Sequence, residues 1–250
     1  MSRMDLALMA FISLTLVACK KDKEPDPDPD PTTGTIALSV TFMSGTNAYT
    51  LDSILIDGAG RKIRLSALKF YASDFHLVND AAVTVGEFHE AVVLVDASAT
   101  SNLFTLGTMS PGHVHEAHIA LGLDSTLNHA DPTLADYPLN VPGMHWSWNP
   151  AAGYKFLMMV GKVDGNGDGD FDDTEDLDIA YDCATDALLR ETHVHIHAGL
   201  VAGGTVTMAA KVDVAKLISG LDFLTTPVAM GGEPANITAM DSLAVAVDEL

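Results

Sequence analysis

The residues best suited to chemistry in this 250-residue chain are histidines that recur at alternate positions. They cluster in two segments, which hold His113, His115 and His118, then His193, His195 and His197. Alternate residues of a β-strand point to one face, so each His-x-His pair can aim two imidazoles the same way. Imidazole is a common ligand of copper and zinc. The spacing predicts a transition-metal site, although about half of the ten histidines are expected to be ordinary surface or hydrogen-bonded residues.

An acidic segment over residues 164–175 predicts a second kind of metal site. Its oxygen-bearing side chains stand at loop positions 1, 3, 5, 9 and 12, and Gly169 stands at position 6, where the backbone must turn sharply. A solvated acidic turn would not require this register. We expect a structural calcium site inside a hairpin, because both flanks have strand patterns. Its ligands would be Asp164, Asn166, Asp168, Asp170 through its carbonyl, Asp172 and Glu175.

The N-terminus has the pattern of an exported lipoprotein. Arg3 precedes an apolar run over residues 6–17, which is too short for a mature spanning helix and is typical of a secretion signal over residues 1–18. The run ends in Leu-Val-Ala-Cys, which resembles a bacterial lipobox and makes Cys19 the expected lipidation site. Residues 19–34 are rich in Pro and Asp and favour an extended tether. We expect a domain over residues 35–250 anchored by lipid in the bacterial cell envelope, at the outer membrane.

Charge and cysteine content narrow the function further. Once Cys19 carries lipid, only Cys183 remains, so no intramolecular disulfide is expected. The apolar content of 48% is enough for one large domain to bury a full core. The formal net charge of -21 repels nucleic acid and attracts cations. Nucleic acid is therefore excluded as a partner.

Apolar residues alternate with polar ones along most of the body, which predicts strands. The expected strands cover residues 35–42, 63–78, 91–95, 115–123, 154–163, 177–181, 193–200 and 205–212. Helical periodicity is confined to residues 214–221 and to the C-terminal segment 239–250. We predict an all-β fold, an antiparallel β-sandwich of about eight or nine strands, with a calcium-loop insertion and a short C-terminal helical segment.

A segment with two tryptophans, His145-Trp146-Ser147-Trp148, lies within residues 138–149 and is followed by Gly153-Tyr154-Lys155-Phe156. Three further segments accompany it, at residues 69–77, 121–132 and 212–217. In this order the segments resemble the MbnP-like family of bacterial copper-binding proteins. The resemblance spans most of residues 35–220.

The resemblance implies an envelope copper protein in which a partner dihaem enzyme of the MauG-like kind oxidises a tryptophan to kynurenine. An intact indole offers only an N–H donor and no lone pair for a metal. Ring opening exposes an aromatic amine that can bind copper beside imidazoles. By motif, Trp146 is the first candidate for this modification and Trp148 the second; either can instead be a buried sheet residue.

The resemblance also implies histidine ligands. The family pattern has a late histidine followed by an apolar residue and a glycine, and the segment from His195 to Gly199 offers both His195 and His197 for this role. We prefer His195, with His129 as its partner. His145 is a weaker candidate, because the family often has an aromatic residue there.

The histidines at 113, 115 and 118 match no family position. With His193 and His197 they are candidates for a second site, because cross-strand neighbours approach within about 5 Å. Met144, Met158 and Met159 are available as soft donors for Cu(I), although methionine is more often core filler.

These features predict a lipid-anchored protein that binds copper and calcium and is not an enzyme. Two alternatives stay open. A metal-dependent β-sandwich enzyme is one, because residues 112–116 look like the copper-strand motif of Cu,Zn superoxide dismutases, although no disulfide pair or series of zinc-loop histidines accompanies it. A cell-surface module with structural calcium alone is the other.

Overall fold

Alternating apolar residues form thirteen strands among the residues that the computed structural model describes, 31–51 and 53–250. The lipidation site Cys19, the signal segment and most of the tether lie outside the described residues. The strands are β1 (Gly34–Ser44), β2 (Asn47–Ala48), β3 (Ile54–Ile56), β4 (Lys62–Val78), β5 (Thr84–Asp96), β6 (Leu103–Met109), β7 (Gly112–Leu121), β8 (Lys155–Val163), β9 (Leu177–Ala184), β10 (Arg190–Leu200), β11 (Thr205–Asp213), β12 (Val228–Gly231) and β13 (Val247–Glu249).

Three helices lie between the strands: α1 (Ser125–Asn128), α2 (Val214–Ile218) and α3 (Pro234–Ala246). Short 3-10 turns cover Pro150–Ala152 and Asp186–Leu188. Within the described ranges, no helix has both the length and the apolar character needed to cross a membrane.

The strands form two sheets. The larger has eight strands in the order β10-β7-β4-β8-β9-β12, with β3 and β5 also paired to β4; the smaller has five, in the order β13-β11-β1-β2, with β6 paired to β1. Strand β4 organises the larger sheet, since it pairs with β8 through residues 63–70, with β7 through residues 72–78 and with β5 through residues 69–78. The larger sheet is therefore built around β4, with β8 beside the first part of this strand and β5 and β7 beside the rest.

The prediction of an all-β sandwich is confirmed, and the eight expected strands are present as β1, β4, β5 and β7 to β11. Five more strands were not predicted. Strands β2, β3, β12 and β13 have only two to four residues, too few to show an alternating pattern, and only two of the seven residues of β6 are buried. The sheets are also not purely antiparallel, because β1 pairs with β11 and β9 with β12 in parallel.

The C-terminal helical segment begins earlier than predicted. Helix α3 starts at Pro234, whose fixed φ suits the first helical turn, and the chain leaves the helix after Ala246 to form β13. The other predicted helical segment is shorter than expected and forms α2, which the Asp213 side chain caps by accepting hydrogen bonds from the backbone N–H groups of Ala215 and Lys216.

Segment 122–154 covers part of β4 and carries the two tryptophans. Tyr71 of β4 is fully buried, donates a hydrogen bond from its hydroxyl to the Pro138 carbonyl at 3.1 Å, and meets Tyr154 edge to face at 5.9 Å between ring centroids. Farther along β4, Asp74 and His76 are only partly buried. Segment 122–154 thus contacts β4 near its middle, at Tyr71, and polar side chains farther along the strand are partly open to solvent.

We expect Leu68→Ala to destabilise the fold by about 2–5 kcal/mol, because Leu68 of β4 is fully buried and truncation leaves a cavity. Equilibrium unfolding in urea measures the change. The matched control is Leu134→Ala: Leu134 is 84% exposed, and its loss should change the free energy of unfolding by less than about 0.5 kcal/mol. Equal effects at the two positions would contradict the assignment of β4 to the core.

Candidate metal centre

Eight of the ten histidines in the chain lie on the four neighbouring strands β5, β4, β7 and β10. Each of them is half-buried or exposed, whereas apolar residues between them on β4, β7 and β10 are buried in the core. We call this surface the histidine face; its histidines are His76, His89, His113, His115, His118, His193, His195 and His197. Alternation along the strands, together with the register shift between β7 and β10, therefore places most of the imidazoles of the protein on one surface.

One cluster on the histidine face consists of imidazoles alone. His115, His195 and His197 each offer a nitrogen within 4.8 Å of the others. The ring centroids of His115 and His197 lie 4.4 Å apart, and those of His115 and His195 lie 5.6 Å apart. The pairing register between β7 and β10 shifts between His195 and Ala198, and His197 has a φ of 47°. This bulge turns His195 and His197 toward the same partner on β7.

The chemistry of this cluster fits a transition metal. His115 Nδ1 is buried and makes no hydrogen bond, although Asp80 Oδ1 lies 3.2 Å away at ion-pair distance without hydrogen-bonding geometry. A buried imidazole nitrogen without a hydrogen bond is unfavourable unless another partner takes its lone pair or proton. Three imidazoles without thiolate suit copper or zinc. His115, His195 and His197 are therefore the residues that would hold copper.

Two further clusters combine one carboxylate with two imidazoles: Glu116 with His118 and His193, and Asp74 with His76 and His89. Partial burial would raise the pKa of Asp74, but hydrogen bonds from His89 and His76 outweigh it and lower the pKa. The hydrogen bond to Asp74 in turn raises the pKa of His89.

Asp74, His76, His89 and Glu116 were not among the metal ligands predicted from the sequence. A usable signal was present in the alternating pairs Asp74-x-His76 and Glu116-x-His118, which place both side chains of each pair on one face. The neighbouring strands that complete the clusters could not be identified from spacing, because the order of strands in a sheet depends on long-range pairing.

His129 lies away from the histidine face. Its Nε2 is 3.3 Å from the Asp186 carboxylate, which also accepts hydrogen bonds from Asn128 and Ser125. These hydrogen bonds lower the pKa of Asp186, and the one from Asn128 has the largest effect. Among the described residues, His129 belongs to no cluster of three or more close metal-ligating groups.

Trp146 also lies far from His195 and His197. It is 5% exposed and donates a hydrogen bond from Nε1 to Asp182 of β9 at 3.3 Å. Asp182 stands at the level of Lys69 on β4, and His195 stands at the level of Val78. These levels are separated by nine residues of β4, about 30 Å of extended strand. The structure therefore does not bring Trp146 together with His195 and His197, as the family resemblance implied.

His145 lies next to Trp146 in sequence and faces Tyr154, with 4.9 Å between ring centroids. Burial lowers the pKa of His145, and the Asp131 carboxylate partly offsets that effect. The potential soft donors Met144 and Met159 are buried in the hydrophobic core, as methionine side chains commonly are.

The acidic segment connects β8 to β9 in an antiparallel hairpin, where the strand patterns of its flanks predict it. Asp164 is buried and its carboxylate accepts hydrogen bonds from the backbone N–H groups of Gly167 and Gly169. Asp168, Asp170 and Asp173 bring carboxylate oxygens within 4.8 Å of one another.

Two residues outside the predicted calcium set contribute to this loop. The pKa of Asp173 is raised, chiefly by desolvation and also by the neighbouring carboxylates. A hydrogen bond from the backbone N–H of Glu175 opposes this increase. Asp176 accepts hydrogen bonds from the backbone N–H groups of Gly165 and Asp173, which holds the two ends of the loop together. Glu175 accepts a hydrogen bond from Thr174, and Asp172 donates its N–H to Asp170.

We expect a diffusible oxidant to modify Trp148 before Trp146. The two rings contact each other at a tilt of 31° with 5.0 Å between centroids, but Trp148 is 73% exposed whereas Trp146 is 5% exposed. Limited oxidation followed by peptide mass mapping measures the two rates. Trp148→Phe serves as the control, since it should leave an oxidation-resistant protein. Faster oxidation at Trp146 in the wild type would contradict the packing described above.

Comparison with known proteins gives the same family as the sequence resemblance. The MbnP family model matches residues 33–234. Among solved structures, MbnP from Methylosinus trichosporium superposes with a TM-score of 0.51 at 14% identity, over 83% of this chain and 87% of that one. No curated protein matches the chain. Because the family model covers most of the sequence, the chain belongs to the MbnP family.

Proposed function

We propose that this protein binds copper at the cluster of His115, His195 and His197. The observation that carries the proposal is the convergence of three imidazoles across the bulge between β7 and β10. The buried Nδ1 of His115, which makes no hydrogen bond, supports it further. Membership of the MbnP family, a family associated with copper, favours copper over zinc. An all-imidazole site also binds Cu(II) more tightly than Zn(II) by the usual affinity order.

The position of the cluster suits exchange of the ion. His195 and His197 are exposed and His115 is half-buried, so copper bound there would be reachable from solvent. A donor protein or an acceptor can approach such a site without opening the core. This supports copper handling, such as uptake, storage or delivery, over catalysis in a closed pocket.

Oxidised tryptophan supplies a separate candidate ligand. In this proposal a partner dihaem oxidase of the MauG-like kind converts Trp146, or Trp148 as second choice, into kynurenine. His145 adjoins Trp146 in sequence, and His129 lies in the same covering segment 122–154. The motif favours Trp146, and the 73% exposure of Trp148 is the observation that supports the second choice.

The location of the protein is proposed from its sequence. The lipobox at Cys19 and the Pro and Asp tether support a lipid-anchored protein of the bacterial envelope, held at the outer membrane. The net charge of -21 raises the local concentration of cations around such a domain.

We further propose that the hairpin loop between β8 and β9 binds a structural calcium ion. Carboxylate and carbonyl oxygens are the ligands that calcium prefers, and Asp168, Asp170 and Asp173 already converge there. The raised pKa of Asp173 reflects desolvation and nearby like charge, and a bound cation relieves the repulsion among the carboxylates.

We expect the double substitution His195→Ala/His197→Ala to raise the Kd of the most tightly bound copper ion of the mature protein by about 100-fold or more. Loss of a supporting residue around a metal commonly weakens binding 10–100-fold, and these substitutions remove ligands outright. Competition titration against a chelator of known affinity, with Cu(I) and with Cu(II), measures the change.

The matched control for this experiment is His129→Ala/His145→Ala, which removes two histidines of the covering segment. Copper affinity should be unchanged in this variant. If the control loses copper while His195→Ala/His197→Ala retains it, copper binds near Trp146 and our assignment is wrong. Mass measurement of the purified protein establishes in each case whether a tryptophan has been oxidised.

We expect calcium to stabilise the wild-type protein by about 2.7 kcal/mol at a concentration 100 times its Kd. Asp168→Asn/Asp173→Asn should abolish the gain, because it removes two of the three converging carboxylates. Thermal unfolding with and without calcium measures the effect. Asp178→Asn, at an exposed position on β9, is the control and should retain the gain. A wild type that calcium does not stabilise would contradict the proposal.

A further inference from the structure

The histidine face contains the same three-residue arrangement twice. On β4, Asp74 and His76 are two residues apart; on β7, Glu116 and His118 are two residues apart. Each pair is completed by a histidine from the strand on its outer side, His89 of β5 or His193 of β10. The four strands lie in the order β5-β4-β7-β10, so the two arrangements flank the junction between β4 and β7.

The contact distances of the first arrangement are short. Asp74 Oδ1 lies 3.0 Å from His76 Nε2 and 2.6 Å from His89 Nδ1. The rings of His76 and His89 meet edge to face with centroids 5.0 Å apart. Asp74 has a φ of 49°, a conformation that non-glycine residues seldom adopt, and the bulge there turns its carboxylate toward both imidazoles.

The second arrangement repeats these contacts with the same atom types. Glu116 Oε1 lies 3.1 Å from His118 Nε2 and 2.8 Å from His193 Nδ1. The two imidazoles stack with centroids 4.0 Å apart. The Glu116 side chain is only 16% exposed, so its carboxylate is largely shielded from solvent where it contacts a nitrogen of each ring. Glu191 Oε1 approaches His118 Nδ1 from the outside at 3.2 Å.

The two arrangements meet at one point. His76 and His118 are direct cross-strand partners in the pairing of β4 with β7, and such partners have Cβ atoms about 4.5–5.5 Å apart. A groove of about 580 Å³ opens over this junction and is lined by Asp74, His76, His118 and Glu191. Ions and water can therefore reach both arrangements from the same opening.

We infer that these two arrangements are a matched pair of divalent metal sites, each formed by one carboxylate and two imidazoles. This inference goes beyond copper binding by the all-imidazole cluster and uses none of its three residues as a ligand. A set of two nitrogens and one oxygen without thiolate suits Zn²⁺ and Cu²⁺. Three protein ligands leave a further coordination position for water or for a bridging anion from the groove.

Zinc titration of the mature protein tests the inference. The titration uses the His195→Ala/His197→Ala variant, which removes two of the imidazoles proposed to bind copper, and excess calcium, which saturates the acidic loop. A chelator of known affinity removes weakly held ions. We expect two zinc ions per chain in this background, one after adding Asp74→Asn or Glu116→Gln, and none after adding both. Circular dichroism checks that every variant remains folded.

The matched control adds Asp178→Asn/Glu233→Gln to the same background, which removes the same charge from exposed positions outside the histidine face. It should retain two zinc ions. Replacement of zinc by Co²⁺ gives a second readout, since each lost site removes its share of the visible Co²⁺ absorption. Fewer than two ions in the background, or unchanged stoichiometry after Asp74→Asn and Glu116→Gln, would overturn the inference.

This test is independent of the copper proposal. The background variant already lacks His195 and His197, so its zinc count does not depend on whether those residues bind copper. Conversely, if the zinc sites vanish in Asp74→Asn/Glu116→Gln while copper affinity depends on His195 and His197, both proposals hold. If these variants retain zinc while His195→Ala/His197→Ala loses copper, only the inference of paired divalent sites is contradicted.

Discussion

The pairing of β4 with three other strands is the constraint on which the rest of the structure depends. This strand is 17 residues long and bonds to β8 along its first half and to β5 and β7 along its second half. Because side chains alternate along a strand, its register fixes which residues enter the core and which face solvent. A shift of one residue would bury His76 and expose Phe75, which is fully buried.

The same strand separates two regions of different chemistry. Its middle, at Tyr71, contacts segment 122–154, where hydrogen bonds and a ring contact hold Trp146, His129 and His145. Its second half is flanked by β5 and β7 and carries the histidine face. The length of β4 keeps these regions apart, so a ligand set that includes Trp146 and His195 together would require a different register of the whole sheet.

Sequence alone was sufficient for the features that depend on local periodicity. Alternation located every strand of eight residues or more, and the acidic loop was placed within the correct hairpin because its flanks alternate. The sequence offered His197 as a partner of His115 but placed His195 with His129, because the joint approach of His195 and His197 to His115 depends on a bulge that adds a residue to one strand. Short strands and parallel pairings were missed for a related reason: long-range contacts, not local patterns, stabilise them.

The limits of prediction at the site have the same physical origin. His129 was paired with His195 on the basis of family order, and order along a chain does not determine distance across a sheet. Asp173 and Asp176 escaped notice because the loop register predicts ligands to an ion, whereas hydrogen bonds within the loop select other carboxylates. Asp74 and Glu116 were overlooked because each becomes a plausible ligand only when a neighbouring strand supplies a second histidine.

Charge distinguishes the clusters of the histidine face from one another. An imidazole ligand brings no negative charge of its own, so a ligand set of His115, His195 and His197 suits Cu(I) as well as Cu(II). Clusters built on Asp74 or Glu116 each bring one negative charge close to the ion, and this favours a divalent cation electrostatically. The bridge between the two kinds of site is Glu116, whose Oε2 lies 3.5 Å from His195 Nδ1 while its Oε1 contacts His118 and His193. A divalent ion held by Glu116 would therefore offset the negative charge that this carboxylate places beside His195.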